Sequence, residues 1–169
     1  MINIINKTSQ TDLCDLHTHS AYSDGTFTPE ELVKAAKSEN LRAVALTDHN
    51  TTDGIKEFVK AGKKYGVECI PGVEISSGYK NKELHIVALF FKNTDYSKVD
   101  DFLVGQRKKK EKSNKLLAER LNKSGYNVNY DEIKSEARGS VNRFHFAKEL
   151  IKNGYIKTVK EGFDTILSE

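Results

Sequence analysis

Four of the five histidines, with two acids, sit just past short apolar runs. His17, His19 and Asp24 fall in DLHTHSAYSDG, His49 in TDHN, Glu74 in PGVEISS and His85 in ELHIVAL. Imidazole nitrogens and carboxylate oxygens in this number are the donor set of a polynuclear metal site, suited to zinc, manganese or iron. Neither cysteine lies among these positions to favour a closed thiolate site. A lone histidine in an apolar strand is more often a core residue than a ligand. Six candidates at strand ends are harder to dismiss than one. Asp15 and Asp48 stand where a carboxylate could orient a ligating imidazole, or could bond nearby backbone.

The elements that must position these residues follow from periodicity. Side chains two apart on a strand share a face, so His17 and His19 can grip one ion. The remaining candidates follow other apolar runs, as expected where a parallel sheet presents the carboxyl ends of its strands to a shared cavity. Residues 13–20 read as a first strand. TPEELVKAAKSEN then reads as a helix with Thr28 as N-cap, Pro29 at the first position and Glu31 closing a capping box. Leu32, Val33, Ala35 and Ala36 supply its inner face. RAVAL at 42–46 is a second strand, and GIKEFVKAGKKYG places Ile55, Phe58, Val59 and Tyr65 at helical spacing before Gly66. VECI and GVEIS form a third extended segment, with Pro71 and Gly72 breaking it. ELHIVALFF at 83–91 is apolar on both faces, the pattern of a strand buried in a parallel sheet. From about residue 95 the pattern turns helical. Val99, Phe102, Leu103, Leu116, Leu117 and Leu121 mark a long charged helix ending near Gly125, and DEIKSEA, VNRFHFAKELIKNG and VKEGFDTILSE mark three shorter ones. The reading is an α/β part over residues 1–94 and a small helical unit over 95–169.

At 169 residues the chain holds one ordinary core and has the composition of a globular protein. Apolar runs such as IVALFF are far short of a membrane span, so no membrane partner is expected. MINIINKTSQTDL lacks the features of a signal peptide, which points to the cytoplasm. Cys14 and Cys69 read as two buried, reduced thiols. The net charge of +3 is unevenly spread: residues 1–97 carry 11 basic and 13 acidic groups, residues 98–169 carry 16 and 11. RKKKEK at 107–112 reads as a solvated helix face that, beside a metal site, could also draw in a phosphate-bearing substrate. No G-x-S-x-G or other activated nucleophile is present, and Ser20 and Ser23 read as turn and hydrogen-bonding residues.

DLHTHSAYSDGTFTPEELVKAAK, with LTDHNTTDG, PGVEISS and ELHIVAL, resembles the PHP family, the polymerase and histidinol phosphatase group of metal-dependent phosphoesterases. SVNRFHFAKELIKNGYIKTVKEGFDTILSE is similar to the helical insertion domain of a branch associated with tryptophan-operon loci, nucleotide phosphatases and 5'-3' exonucleases. The resemblance implies an α/β fold, the N-terminal part of a distorted seven-stranded TIM-like barrel, followed by that insertion domain. It implies two or three divalent ions as cofactors. His17 and His19 would hold the first, Glu74 would bridge it to a second held by His85, and Asp24 and His49 would hold a third. It implies a phosphate contact from Arg143, whose guanidinium fork suits phosphate oxygens; a solvated helix residue is the alternative. His145 reads as packing rather than ligation.

The implied function is divalent-metal-dependent hydrolysis of phosphate esters of nucleotides or short oligonucleotides through an activated water, with no catalytic residue beyond the ligands. The partner would be a phosphorylated small molecule or a nucleic-acid end. Two alternatives stay open: another hydrolase on this scaffold, acting on histidinol phosphate or an amide, or a catalytically incomplete binding and assembly module. Family members close the barrel with strands that bring a later histidine and a D-x-H pair, and this sequence reaches Glu169 before any of them. A fragment of a longer protein, strands supplied by another chain, and an incomplete relic are each consistent with that. An open sheet edge also carries an expectation of self-association.

Overall fold

The computed structural model describes residues 12–80, 82–90, 94–137 and 139–167. Phe91, at the end of the expected fourth strand, and Ser168 and Glu169, at the end of the expected last helix, lie outside them. Strand β1 (Cys14–Thr18) leads to helix α1 (Pro29–Ser38), β2 (Ala43–Leu46), α2 (Ile55–Tyr65), β3 (Glu68–Tyr79) and β4 (Lys82–Leu89). Helices α3 (Tyr96–Lys123), α4 (Tyr130–Glu136), α5 (Arg143–Lys152) and α6 (Val159–Thr165) follow.

Local chemistry sets the helix ends. Thr28 accepts from the Glu31 N–H, and the Glu31 carboxylate accepts from the Thr28 N–H, closing the expected capping box ahead of Pro29. Gly66, with φ of 70°, stops α2 and donates to the Gly62 carbonyl. Asp95 caps α3, Asn129 caps α4, Asn142 caps α5 and Thr158 caps α6.

The sheet order is β1-β2-β3-β4. The first three strands run parallel, with an irregularity in β1 between Asp15 and Thr18, where His17 lies. β4 runs antiparallel to β3 and forms its outer edge, so the expectation of a fourth parallel strand buried on both faces is overturned. Its apolar residues lie open instead, with Leu84 and Ile86 about half exposed. The expected break at Pro71 and Gly72 is also overturned. β3 continues through both, because Pro71 still offers its carbonyl to Phe90 and Gly72 lies against the Ala88 carbonyl, where a Cβ would sit at 2.8 Å. A strand ladder asks for a donor at each pairing position, and here the neighbouring residues of β2 and β4 supply enough bonds to carry the proline.

Two cores hold the molecule. Val33 and Ala36 of α1, Val44 and Leu46 of β2, Phe58 and Ala61 of α2, and Val67 form the first, with Leu32 at its margin. Ala118 and Leu121 of α3, Ile133, Phe146, Ala147, Leu150, Ile156 and Leu167 belong to the second, among the helices. The stripe expected along α3 is corrected in part: Leu103 and Leu121 are buried, whereas Phe102 and Leu116 are more than half exposed. Cys14 is exposed on β1, contrary to the buried thiol expected, and Cys69 is partly buried. No described helix is long and apolar enough to cross a membrane.

Candidate metal centre

The loop after β2 and the middle of β3 meet in a backbone lock. The Glu74 N–H donates to the Asp48 carbonyl (3.2 Å) and the Asn50 N–H to the Glu74 carbonyl (2.9 Å), which sets His49 beside Glu74. Asn50 takes a left-handed conformation, φ of 53°, and its amide bonds the N–H and hydroxyl of Ser76, both at 3.0 Å. The loop after β1 is tied down by Asp48, whose buried carboxylate accepts from the Ser20 N–H (2.7 Å), the Ser20 hydroxyl (2.6 Å) and the Ser23 hydroxyl (2.7 Å). Asp48 thus holds a loop and reaches the imidazole of His19 only through Ser23, whose hydroxyl lies 3.4 Å from Nδ1. Asp15 is exposed and accepts from the His17 N–H (3.2 Å).

All six expected ligands come together. His17 Nε2 and His19 Nε2 lie 2.9 and 3.1 Å from Glu74 Oε2 and 3.2 Å from each other. His49 Nδ1 is 3.6 Å from the same oxygen, and His85 Nδ1 is 3.0 Å from Glu74 Oε1. Asp24 stands 3.5 Å from both His19 Nδ1 and His49 Nε2. Three overlapping groups can each enclose an ion: His17, His19 and Glu74; His19, Asp24 and His49; His49, Glu74 and His85. His19 and His49 each belong to two of them.

The donor set fits divalent cations. Nitrogens of four imidazoles converge on one carboxylate, and the buried His49 Nδ1 has no hydrogen-bond partner. Such an orphan costs about 1–3 kcal/mol unless another group meets it. Burial pushes the His19 pKa down, against the pull of Asp24. Burial works to raise the pKa of Asp24, but hydrogen bonding and charge from His49, aided by His19, hold it well below the usual carboxylate range. Burial works to raise the pKa of Glu74 too, but the His17 hydrogen bond together with the charges of His49, His17 and His19 keeps it below its usual value. Neutral imidazole beside ionised carboxylate is the state a metal needs.

Arg143, the first residue of α5, reaches this centre through a residue the sequence reading missed. Its guanidinium lies 3.5 Å from Glu83 Oε2, while Lys110 pairs with the other oxygen and His85 Nε2 stands 3.2 Å from it. Burial opposes ionisation of Glu83, yet Lys110, His85 and Arg143 bring its pKa to about 2. The E-x-H spacing on β4, the same two-residue rule that singled out His17 and His19, was the available signal. His145 lies outside every ligand group among the described residues; its ring completes the capping box of α5 against Asn142. The helical region meets the loop carrying Asp24 main chain to main chain. The Ser140 N–H donates to the Tyr22 carbonyl (3.2 Å), and a Cβ on Gly139 would lie 1.8 Å from that same oxygen.

The pattern of the PHP domain matches residues 15–163. The chain belongs to the PHP domain family. Among PHP relatives it is 37% identical to a 5'-3' exoribonuclease of Haemophilus influenzae, over 92% of this chain and 56% of the relative. It is 28% identical to a 3',5'-nucleoside bisphosphate phosphatase of Chromobacterium violaceum, over 91% of this chain and 54% of the relative. A Bifidobacterium adolescentis structure assigned as a metal-dependent phosphoesterase superposes with a TM-score of 0.80 at 27% identity, over 90% of this chain and 54% of that one. The PHP chain described here therefore spans about half the length of these relatives, and it shares their α/β fold.

Proposed function

We propose that this chain carries the metal-binding half of a divalent-metal-dependent phosphoesterase that hydrolyses phosphate esters of nucleotides or short oligonucleotides. The convergence of His17, His19, Asp24, His49, Glu74 and His85 around one buried carboxylate carries the reading. Two or three ions of manganese, iron or zinc held there would supply an activated water and neutralise phosphate oxygens. Glu74 and Asp24 hold their charge ready for cations, and His49 is fixed by the backbone lock. Arg143, from a helical unit at 95–169 that we read as an insertion into the barrel, binds the substrate phosphate by exchanging its weak contact with Glu83 for a fork of hydrogen bonds. Asp15 and Asp48 support the ligands through the backbone and the Ser20–Ser23 loop.

Names of relatives support this substrate class: an exoribonuclease and a nucleoside bisphosphate phosphatase. An amide substrate would use the same ligands, and a neighbour of 28% identity is described as an amidohydrolase, so a substrate panel separates the two. The first test is metal content per chain after gel filtration without chelator. Two or more transition ions per chain support the reading, and none overturns it for this chain. With activity in hand, Arg143→Ala raises KM more than it lowers kcat; an unchanged KM would remove Arg143 from the phosphate site.

A further inference from the structure

Beyond the metal centre, a cationic cleft runs along α3. Two adjoining cavities of about 470 and 510 Å³ share Glu83, Lys110, Ser113 and Arg143. Through Glu83 and its contact with His85, one end of the cleft abuts the ligands. The other end follows one face of α3, where Lys109, Ser113, Leu116, Arg120 and Lys123 recur at helical spacing. That face extends over roughly 21 Å of helix.

Some cations of α3 are paired and others are not; Lys108 and Lys112 have no carboxylate partner among the described ion pairs but line neither cavity. Arg107 is spent on Asp100, and Lys115 on Glu111, which also takes Lys134. Lys109, Arg120 and Lys123 have no carboxylate partner among the described ion pairs, and all three are exposed. Five cations, Lys109, Lys110, Arg120, Lys123 and Arg143, face two carboxylates, Glu83 and Glu119. A mononucleotide at the metal centre needs only the near end of this row. Unpaired positive charge carried on for about four helical turns matches a chain of phosphates, and the half-exposed Leu116 offers apolar contact to sugars or bases.

We propose that this cleft is the track for the backbone of a single-stranded nucleic acid whose terminal phosphate enters the metal centre. The inference rests on the phosphoesterase reading and extends it from nucleotide to strand. Lys110 and Arg143 sit at the entry, and Arg120 and Lys123 hold phosphates further along.

The test is fluorescence anisotropy with a 5'-phosphorylated, labelled single-stranded RNA of about six nucleotides, compared with a labelled mononucleotide, over a salt series. In the wild-type chain the hexamer binds tighter than the mononucleotide. The pair Arg120→Gln and Lys123→Gln, exposed on a helix surface, weakens hexamer binding by about tenfold and lowers its salt slope by about 1.4, at roughly 0.7 per phosphate contact. Mononucleotide binding and metal content stay unchanged. Glu119→Gln tightens the hexamer by about two- to threefold, the sign expected for removal of a like charge from a phosphate path. Equal affinity of wild type and double variant for the hexamer overturns the track, as does a hexamer that binds no better than the mononucleotide or does not bind. Absence of metal and of mononucleotide binding, with charge-dependent hexamer binding intact, instead overturns the phosphoesterase reading alone.

Discussion

His49, in the loop after β2, and Glu74, in the middle of β3, belong to the centre of the sheet and have side chains 9% and 6% exposed; His17 and His85 belong to the outer strands, with side chains 51% and 38% exposed. Each of the four offers a candidate ligand atom. They differ in what else they do. The inner pair is welded into the fold through the bonds linking Asp48, Asn50 and Glu74, and Glu74 serves two of the three ligand groups. The outer pair stands on strands whose apolar residues are open, so an ion would be their main constraint. Ligands buried in central strands are preorganised by the protein, whereas ligands on edges are organised by what they bind.

The largest effect expected is at Glu74. Glu74→Gln leaves only the His19, Asp24 and His49 group intact, so metal content falls to one ion or fewer, and any hydrolysis falls by more than the ~10–100-fold typical of losing an outer partner. His17→Gln removes one group and spares two. Elemental analysis of both variants compares them directly, and equal losses would dissolve the distinction between inner and outer ligands.

Stability should divide the same way. Phe58, fully buried against β2, costs about 3–5 kcal/mol on truncation to alanine. Ile86, half exposed on β4, costs less than about 1 kcal/mol. Denaturant midpoints measure the difference, and a large loss at Ile86 would mean that β4 is covered in solution. Thiol labelling reads the edges more gently. Burial pushes the Cys69 thiol up to about 11, so at pH 8 about a thousandth of it is thiolate, while Cys14 lies open on β1. Cys14 should react at least about tenfold faster with iodoacetamide; protection of Cys14 would show its edge occupied.

The smallest effect is in the helices covering the central strands. A hydrogen bond from Tyr65, then contacts from Lys64 and Lys34, hold Glu30 at about 2, below its usual 4.5. A depressed carboxylate contributes stability that is present above the usual value and lost as pH falls toward 2. Glu30→Gln should therefore lower stability slightly at neutral pH, flatten the acid limb of the stability profile between those values and leave stability near pH 2 unchanged, which acid titration by circular dichroism would detect.

The legible parts of the molecule were those decided locally. Thr28, Pro29 and Glu31 specify a helix start within four residues, and Gly66 a helix end. The six candidate ligands could be picked out because strand periodicity and residue type act together at His17 and His19, and because apolar runs precede the others. The illegible parts depend on partners distant in sequence. Whether β4 runs parallel or antiparallel is settled by its pairing with β3, and an apolar strand reads as buried whether or not anything covers it. Pro71 reads as a break until the strands on either side are known to pair with its neighbours and to bond its carbonyl. Glu83 was passed over because an acid beside a histidine on a strand carries no mark of the lysine and arginine that turn toward it from two helices.

The joint at Gly139 has a mechanical meaning. Where Tyr22 and Gly139 touch, two main chains bear on each other with no side chain between them, and Arg143 projects four residues further on. The height of that guanidinium above the ligand cluster is thus fixed by a hard stop, with no cushion that a rotamer change could take up. Any larger residue at 139 acts as a shim between the arm that carries Arg143 and the loop that carries Asp24, so the reach of the molecule is set at a point that touches neither ion nor phosphate.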